Sequence, residues 1–187
     1  MQTRGFTLIE LLVVIAIIGL LSSIVLASLT QARYRAYDAT RVSDLKEVQK
    51  AIELYALDNG GKYPTTGGNW YTQCAGLTGA ATKTGDALIP NLAPKYITSL
   101  PSDPTMNGST CCYLYKSDGN DYKFDVAYTG NTGQTCAAAY YPDGKITSLL
   151  DPVRNGGTAS VPSPSSCNDG THICAWSVYS GNTSKAW

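Results

Sequence analysis

Residues 1–21 read MQTRGFTLIELLVVIAIIGLL. Two features of this stretch decide how the chain is built. A carboxylate, Glu10, stands inside an apolar run, and Arg4-Gly5 stands directly before that run. From Phe6 to Thr30 the only charged residue is Glu10. A helix over Phe6–Leu29 would be about 36 Å long, enough to cross a hydrocarbon core of about 30 Å. A secretory signal peptide has an apolar core of roughly 7–15 residues and ends at a small-residue cleavage site. This run is longer, has no clean A-x-A exit and flows into a helical pattern, so it is predicted to be retained.

That pattern is a stripe. Val42, Leu45, Val48, Ile52 and Tyr55 recur at spacings of three and four, the period of one helix face. Arg41, Asp44, Lys46, Glu47, Lys50 and Glu53 fill the other faces, and the first proline of the chain is Pro64. Asp58-Asn59-Gly60-Gly61 supplies a stop, because glycine takes the left-handed cap conformation. One helix from about Phe6 to Leu57 is predicted. Its first half is apolar all round and its second half has one apolar face. The second half must therefore pack on something, most simply a sheet, burying side chains such as Leu45, Val48, Ile52 and Leu54.

A buried carboxylate is costly in such a segment. At the centre of a bilayer the penalty is about 2.5–3.5 kcal/mol, less near the edge. The positive end of the helix offsets part of it. The apolar run holds no cation once Arg4 lies outside. Cleavage after Gly5 would create one, the α-amino group of Phe6. A carboxylate one turn into the helix could then pair with that amine on its own chain or a neighbour's.

Arg4-Gly5-Phe6-Thr7-Leu8-Ile9-Glu10 followed by apolar residues resembles the class III signal of type IV prepilins and type II secretion pseudopilins. Leu54-Tyr55-Ala56-Leu57-Asp58-Asn59 with Tyr63-Pro64-Thr65, and Tyr96-Ile97 leading to Leu100-Pro101-Ser102-Asp103-Pro104, are similar to the helix exit and following loop of major pseudopilins. The resemblance implies an α+β pilin-like fold, in which the amphipathic half of the helix packs on an antiparallel sheet. It implies a leader at 1–5, a membrane and filament-core helix at 6–30, an amphipathic continuation at 31–57 and a disulfide-bearing head at 58–187. Gly5 would be the last leader residue, read by a prepilin peptidase. Phe6 would become the N-methylated mature terminus, and Glu10 would meet the Phe6 amine of the adjacent subunit. Gly19 would mark a place where the helix can loosen. Ala27 stands where many members carry a proline, which removes the usual cause of a kink. Asp103-Pro104 runs into Thr105-Met106-Asn107-Gly108, not the continuation that precedes calcium sites in major pseudopilins.

The head reads as β-rich. Prolines at 90, 94, 101 and 104 exclude long regular elements over 58–110, with a helical turn possible at Asp86–Ile89. Tyr122, Phe124, Val126 and Tyr128 alternate with Lys123, Asp125 and Ala127, and Ser117-Asp118-Gly119-Asn120 is a turn signal. A hairpin of 111–116 with 121–128 follows. Further strands are expected at 136–141, 145–149 and 173–179. Tyrosines at 113, 115, 122, 128, 140 and 141 read as cross-strand pairs rather than an adhesive or base-stacking face.

Six cysteines, Cys74, Cys111, Cys112, Cys136, Cys167 and Cys174, show no CxxC spacing beside a single histidine, His172. Disulfides fit better than zinc. Cys167–Cys174 is the preferred local pair, and adjacent Cys111 and Cys112 are expected to reach separate partners, Cys74 and Cys136. Asp118, Asn120, Asp121 and Asp125 could line a calcium site but read better as a solvated turn, so no metal and no cofactor is expected. No G-x-S-x-G, HExxH or P-loop is present, so an enzyme is not expected. Fourteen basic residues balance fourteen acidic ones, which leaves no electrostatic footprint for nucleic acid.

The reading is a structural subunit of an extracellular pilus-like filament, its head outside the membrane. Its partners would be other copies of itself, the peptidase, the assembly machinery and, before assembly, the membrane. A secretion or DNA-uptake pseudopilin is the nearest alternative, and a membrane-anchored ligand-binding protein the next.

Overall fold

A computed structural model describes residues 7–75, 77, 79–106, 112–127, 175–185 and 187. One helix, α1 (Leu8–Asp58), runs from the apolar segment into the head. It is unbroken through Gly19 and Ala27. Its stop is the one the glycines predict. Asn59 is the C-cap, Gly60 and Gly61 take φ of 64° and 79°, and the Gly61 N–H donates to the Ala56 carbonyl at 2.8 Å. That bond satisfies a carbonyl the helix would leave open.

Five strands follow: β1 (Trp70–Thr72), β2 (Ala80–Thr82), β3 (Cys112–Ser117), β4 (Tyr122–Ala127) and β5 (Ala175–Tyr179). The sheet order is β2-β1-β3-β4-β5. The predicted hairpin is present one residue along, as β3 and β4 paired antiparallel from Cys112↔Ala127 to Ser117↔Tyr122. Its tip is pinned by Asp118, whose Oδ1 accepts the N–H groups of Asn120 and Asp121 at 2.8 and 2.9 Å. The strand expected at 173–179 is present as β5, antiparallel to β4. The strands expected at 136–141 and 145–149 lie outside the described residues. The turn expected near Asp86 is a 3-10 turn, Gly85–Leu88. A short helix α2 (Asn182–Lys185) follows β5.

Three expectations are corrected. The sheet is mixed, because β1 and β2 pair in parallel. Both strands lie in the stretch read as loop; three residues are too few to display an alternation. Leu54 is 51 % exposed, off the buried stripe. Asp125, read as part of a solvated turn, is fully buried in β4, and so is Lys123 on the same face. The reason is that the sheet is covered on both sides.

The helix covers one side. Leu45, Val48, Ala51 and Ile52 interlock with Tyr113, Tyr115, Tyr122, Phe124, Val126 and Val178 in one core. The three tyrosines are fully buried packing residues, as the cross-strand reading requires; Tyr113 and Phe124 rings lie 5.4 Å apart. On the opposite side, Trp70 and Leu114 form a second cluster with Leu77, Ala80 and Trp187 packed against it. Lys116 lies 4.7 Å from the Trp187 ring centroid, and Lys123 Nζ donates to the Trp187 backbone oxygen at 2.7 Å.

Candidate assembly site

The N-terminus of α1 is closed by its own side chains. Thr7 is the N-cap. Its hydroxyl accepts the Glu10 N–H at 3.3 Å, and the Glu10 carboxylate accepts the Thr7 N–H at 2.9 Å and the Thr7 hydroxyl at 2.7 Å. This is a reciprocal capping box, which satisfies donors that a helix start leaves orphaned. It gives the carboxylate a definite position within one turn of the helix start. Gly5 and Phe6 lie outside the described residues.

The span that holds Glu10, Leu8–Leu26, is long and apolar enough to cross a membrane, with a mean hydropathy of 2.8 and no part buried inside the protein. Leu8 is 83 % exposed and Leu26 64 %. A rod that is apolar on every side has no stable place in water; it needs lipid or other apolar rods around it.

The rod is joined to the head by a polar weld. Arg41, on α1, is buried. Its Nε and Nη2 hold both Asp103 oxygens at 2.6 and 3.0 Å, its Nη1 holds Asp38 at 2.7 Å, and Nη2 also reaches the Thr105 hydroxyl at 2.7 Å. Burial of the guanidinium works against its charge, but the Asp103 and Asp38 carboxylates hold its pKa above the ordinary arginine value. The Asp-Pro loop is thereby fixed to the helix just above the apolar segment. Further along, carboxylates of the helix accept from tyrosines of the head. Tyr113 donates to Asp44 at 2.5 Å, Tyr122 and Tyr63 to Glu53 at 3.0 and 3.4 Å, and Tyr96 to Asp58 at 3.0 Å. Burial raises the Asp44 pKa, with the Tyr113 hydroxyl opposing the shift in part. The motion of the head is thus tied to the helix along about 20 residues, roughly 30 Å.

Residues 1–26 match the family model described as the prokaryotic N-terminal methylation motif, and residues 28–143 match that described as type II secretion system (T2SS), protein G. The chain belongs to the type II secretion protein G family. It is 33 % identical over 138 residues to the type II secretion system core protein G of Escherichia coli, covering 71 % of this chain and 85 % of the relative. It is 35 % identical over 134 residues to the core protein G of Vibrio cholerae, covering 71 % and 84 %. It is also 31 % identical over 140 residues to the type IV wide pilus major component PilA4 of Thermus thermophilus, covering 72 % and 98 %. No solved structure matches the chain.

The protein G model ends at residue 143, yet β5, at 175–179, completes the sheet of this family member. The head's covalent staple is Cys74–Cys112, with Cα atoms 5.6 Å apart and both residues buried. Of the two adjacent cysteines it is thus Cys112 that reaches Cys74. Cys111, Cys136, Cys167, Cys174 and His172 lie outside the described residues. Asp118, Asn120, Asp121 and Asp125 do not converge. Asp118 caps the hairpin tip, Lys62 Nζ donates to Asn120 Oδ1, Asp121 accepts from Ser180 at 2.8 Å, and Asp125 is buried in β4. Sequence reading missed the Arg41–Asp103 weld and the tyrosine–carboxylate seam. Both join the helix to residues beyond its own stop, most of them tens of positions away, so no local pattern announces them. The one available signal was the unusual tyrosine content facing a helix with acids at 44, 53 and 58.

Proposed function

We propose that the chain is a self-assembling structural subunit of an extracytoplasmic filament of the pilus and pseudopilus kind. The observation that carries this reading is the wholly unburied apolar segment Leu8–Leu26, held as one helix with a head whose own core is closed. Before assembly the segment lies in the membrane with the head outside. Cleavage after Gly5 by a prepilin peptidase frees the Phe6 amine, which is then methylated. In the filament the apolar helices surround one another in place of lipid, and Glu10 pairs with the Phe6 amine of the adjacent subunit. The pairing converts a carboxylate that disfavours the membrane into one that favours assembly, since it then faces a full positive charge where the capping box offers only the neutral N–H and O–H of Thr7. No part of this role asks the protein for catalysis.

A pilus-type filament is the leading form. The described C-terminal strand and Trp187 enlarge the head beyond the segment matched to protein G, and the Thermus wide pilus component is matched over nearly its whole length. A secretion pseudopilus is the second reading, favoured by the protein G relatives. Deleting the gene and scoring both long surface fibres and exported proteins separates them. Loss of fibres with export intact supports the first; loss of export with no fibres in the parent strain supports the second. Mass spectrometry of the mature N-terminus checks the processing: a methylated Phe6 is expected, and an intact Met1 in the assembled material contradicts it.

A further inference from the structure

Between its apolar segment and its first head contact the helix passes through a short collar in which Ala32, Arg33 and Ala36 are exposed. Leu29 is the last large apolar residue of the run, and Asp38 is the first described helix residue that the head buries. Between them the sequence is Thr-Gln-Ala-Arg-Tyr-Arg-Ala-Tyr, with Arg33 and Arg35 and no acid. Indeed no Asp or Glu occurs between Glu10 and Asp38. Arg33 is exposed and takes part in no ion pair among the described residues, while Tyr37, one turn further on the same face, is half-buried. The third arginine of the stretch, Arg41, is drawn into the head by Asp103 and Asp38. The collar sequence therefore holds two arginines, of which Arg33 stands exposed and outside every ion pair among the described residues.

The heights match a membrane surface. Arg33 stands four positions beyond Leu29, a rise of about 6 Å. The headgroup layer on one side of a bilayer is roughly 5–7 Å thick, the difference between a 30 Å core and a 40–45 Å whole. Asp38 lies about 13 Å above Leu29, so the lower edge of the head clears the phosphates and leaves Arg33 uncovered. Tyrosine beside arginine at this depth is the composition of an interfacial belt.

We infer that the Arg33–Tyr37 collar is a binding surface for the phosphates of anionic phospholipids in the outer leaflet, which fixes the depth of the unassembled subunit. The inference rests on the reading that the subunit lies in the membrane before assembly. Each arginine attracts anionic headgroups at close range, and the attraction is lost with screening beyond a Debye length. Cleavage of the leader leaves the collar unchanged, so precursor and mature subunit share it. On extraction into a filament the collar must give up its lipids.

The test uses the full-length chain reconstituted in vesicles of phosphatidylcholine with phosphatidylglycerol. Spin-labelled lipids of each class report their relative association with the protein perimeter. The wild type is expected to favour phosphatidylglycerol by about fivefold per collar arginine at low salt. The preference should fall in salt of about 0.5 M, where the Debye length shrinks to a few ångströms. Arg33→Gln should lose about half of it on a logarithmic scale, and Arg33→Gln with Arg35→Gln nearly all of it. Lys46→Gln with Lys50→Gln, about 20 Å further from the bilayer, should leave it unchanged. Equal association of both lipids with the wild type, or a preference that survives the double arginine substitution or follows the two lysines, overturns the collar. A protein that does not stay with the vesicles after an alkaline wash overturns the membrane reading and the collar with it; one that stays but shows no preference overturns the collar alone.

Discussion

The two halves of α1 share one backbone and live in two different solvents. Over Leu8–Leu26 every described side chain is exposed and none packs on the head. Over Asp38–Asp58 the same helix buries Leu45, Val48 and Ile52 fully and fastens its charges to the head. The lower half opens on a charged cap, the Thr7–Glu10 capping box, closed within the helix itself. The upper half has a weld and a seam that reach the head. The difference teaches where the free energy of each process resides. Folding is completed above residue 38, by apolar packing and by polar contacts that are satisfied inside the subunit. The lower half buries none of its apolar surface within the subunit, which leaves that surface open to lipid or, under the proposed function, to other subunits.

Substitutions that sharpen this contrast should fall into two groups with no overlap. The effect on assembly belongs to the lower half. Glu10→Ala should leave the head folded and the subunit inserted in the membrane, yet reduce sedimentable filament per inserted subunit by about tenfold or more, the worth of one charge-assisted bond. Filament at the wild-type level would break the division between the halves.

Effects in the upper half should be stability losses. Cys74–Cys112 closes a loop of sequence separation 38, for which the chain-entropy account gives about 4 kcal/mol. Cys74→Ser should lower the unfolding free energy of the head by roughly 2–4 kcal/mol in denaturant titration, and a change under about 1 kcal/mol would show that the staple is redundant. Next comes Arg41→Ala, which leaves the buried carboxylates of Asp38 and Asp103 without their cation. A loss of about 3 kcal/mol is expected; Arg41→Lys should recover only part, because it cannot hold both Asp103 oxygens in a fork. Tyr122→Phe removes one donor from Glu53 and should cost about 1–2 kcal/mol.

The smallest effect is one of pH. Asp44 has its folded pKa raised above its ordinary 3.8, chiefly by burial. The folded state therefore binds its proton more tightly than the unfolded state. Its contribution to stability is fully present below about pH 4 and is lost as pH rises through the folded pKa. Relative to Asp44→Asn, the wild type should thus lose stability on going from about pH 3.5 to about pH 7. A difference that grows in the opposite direction would show that the Tyr113 hydrogen bond outweighs burial.

The division was partly legible in the residues. The apolar run, the Val42–Tyr55 stripe and the Asn59-Gly60-Gly61 stop are periodic or local signals, and the helix follows them within two residues at either end. The hairpin was legible because Tyr122, Phe124 and Val126 alternate and Asp118-Gly119-Asn120 marks the turn. The short strands Trp70–Thr72 and Ala80–Thr82 were not, since three residues carry no period. The weld of Arg41 to Asp103 was beyond reach for another reason. A charge on the polar side of a helical wheel reads as solvated, and only the return of the Asp-Pro loop 62 positions later buries it. The burial of Lys123 was beyond reach for the same reason, because the cover on the second face of the sheet comes partly from Trp187, far along the chain.

On the proposed function, Glu10 exchanges a partner on its own chain for one on the next. A filament map at side-chain resolution would reveal the exchange. The Glu10 carboxylate is expected about 2.7–2.9 Å from the Phe6 nitrogen of the adjacent subunit, the span of a charge-assisted hydrogen bond. A Glu10 still closed on Thr7 of its own chain, with the neighbouring amine turned elsewhere, would contradict it.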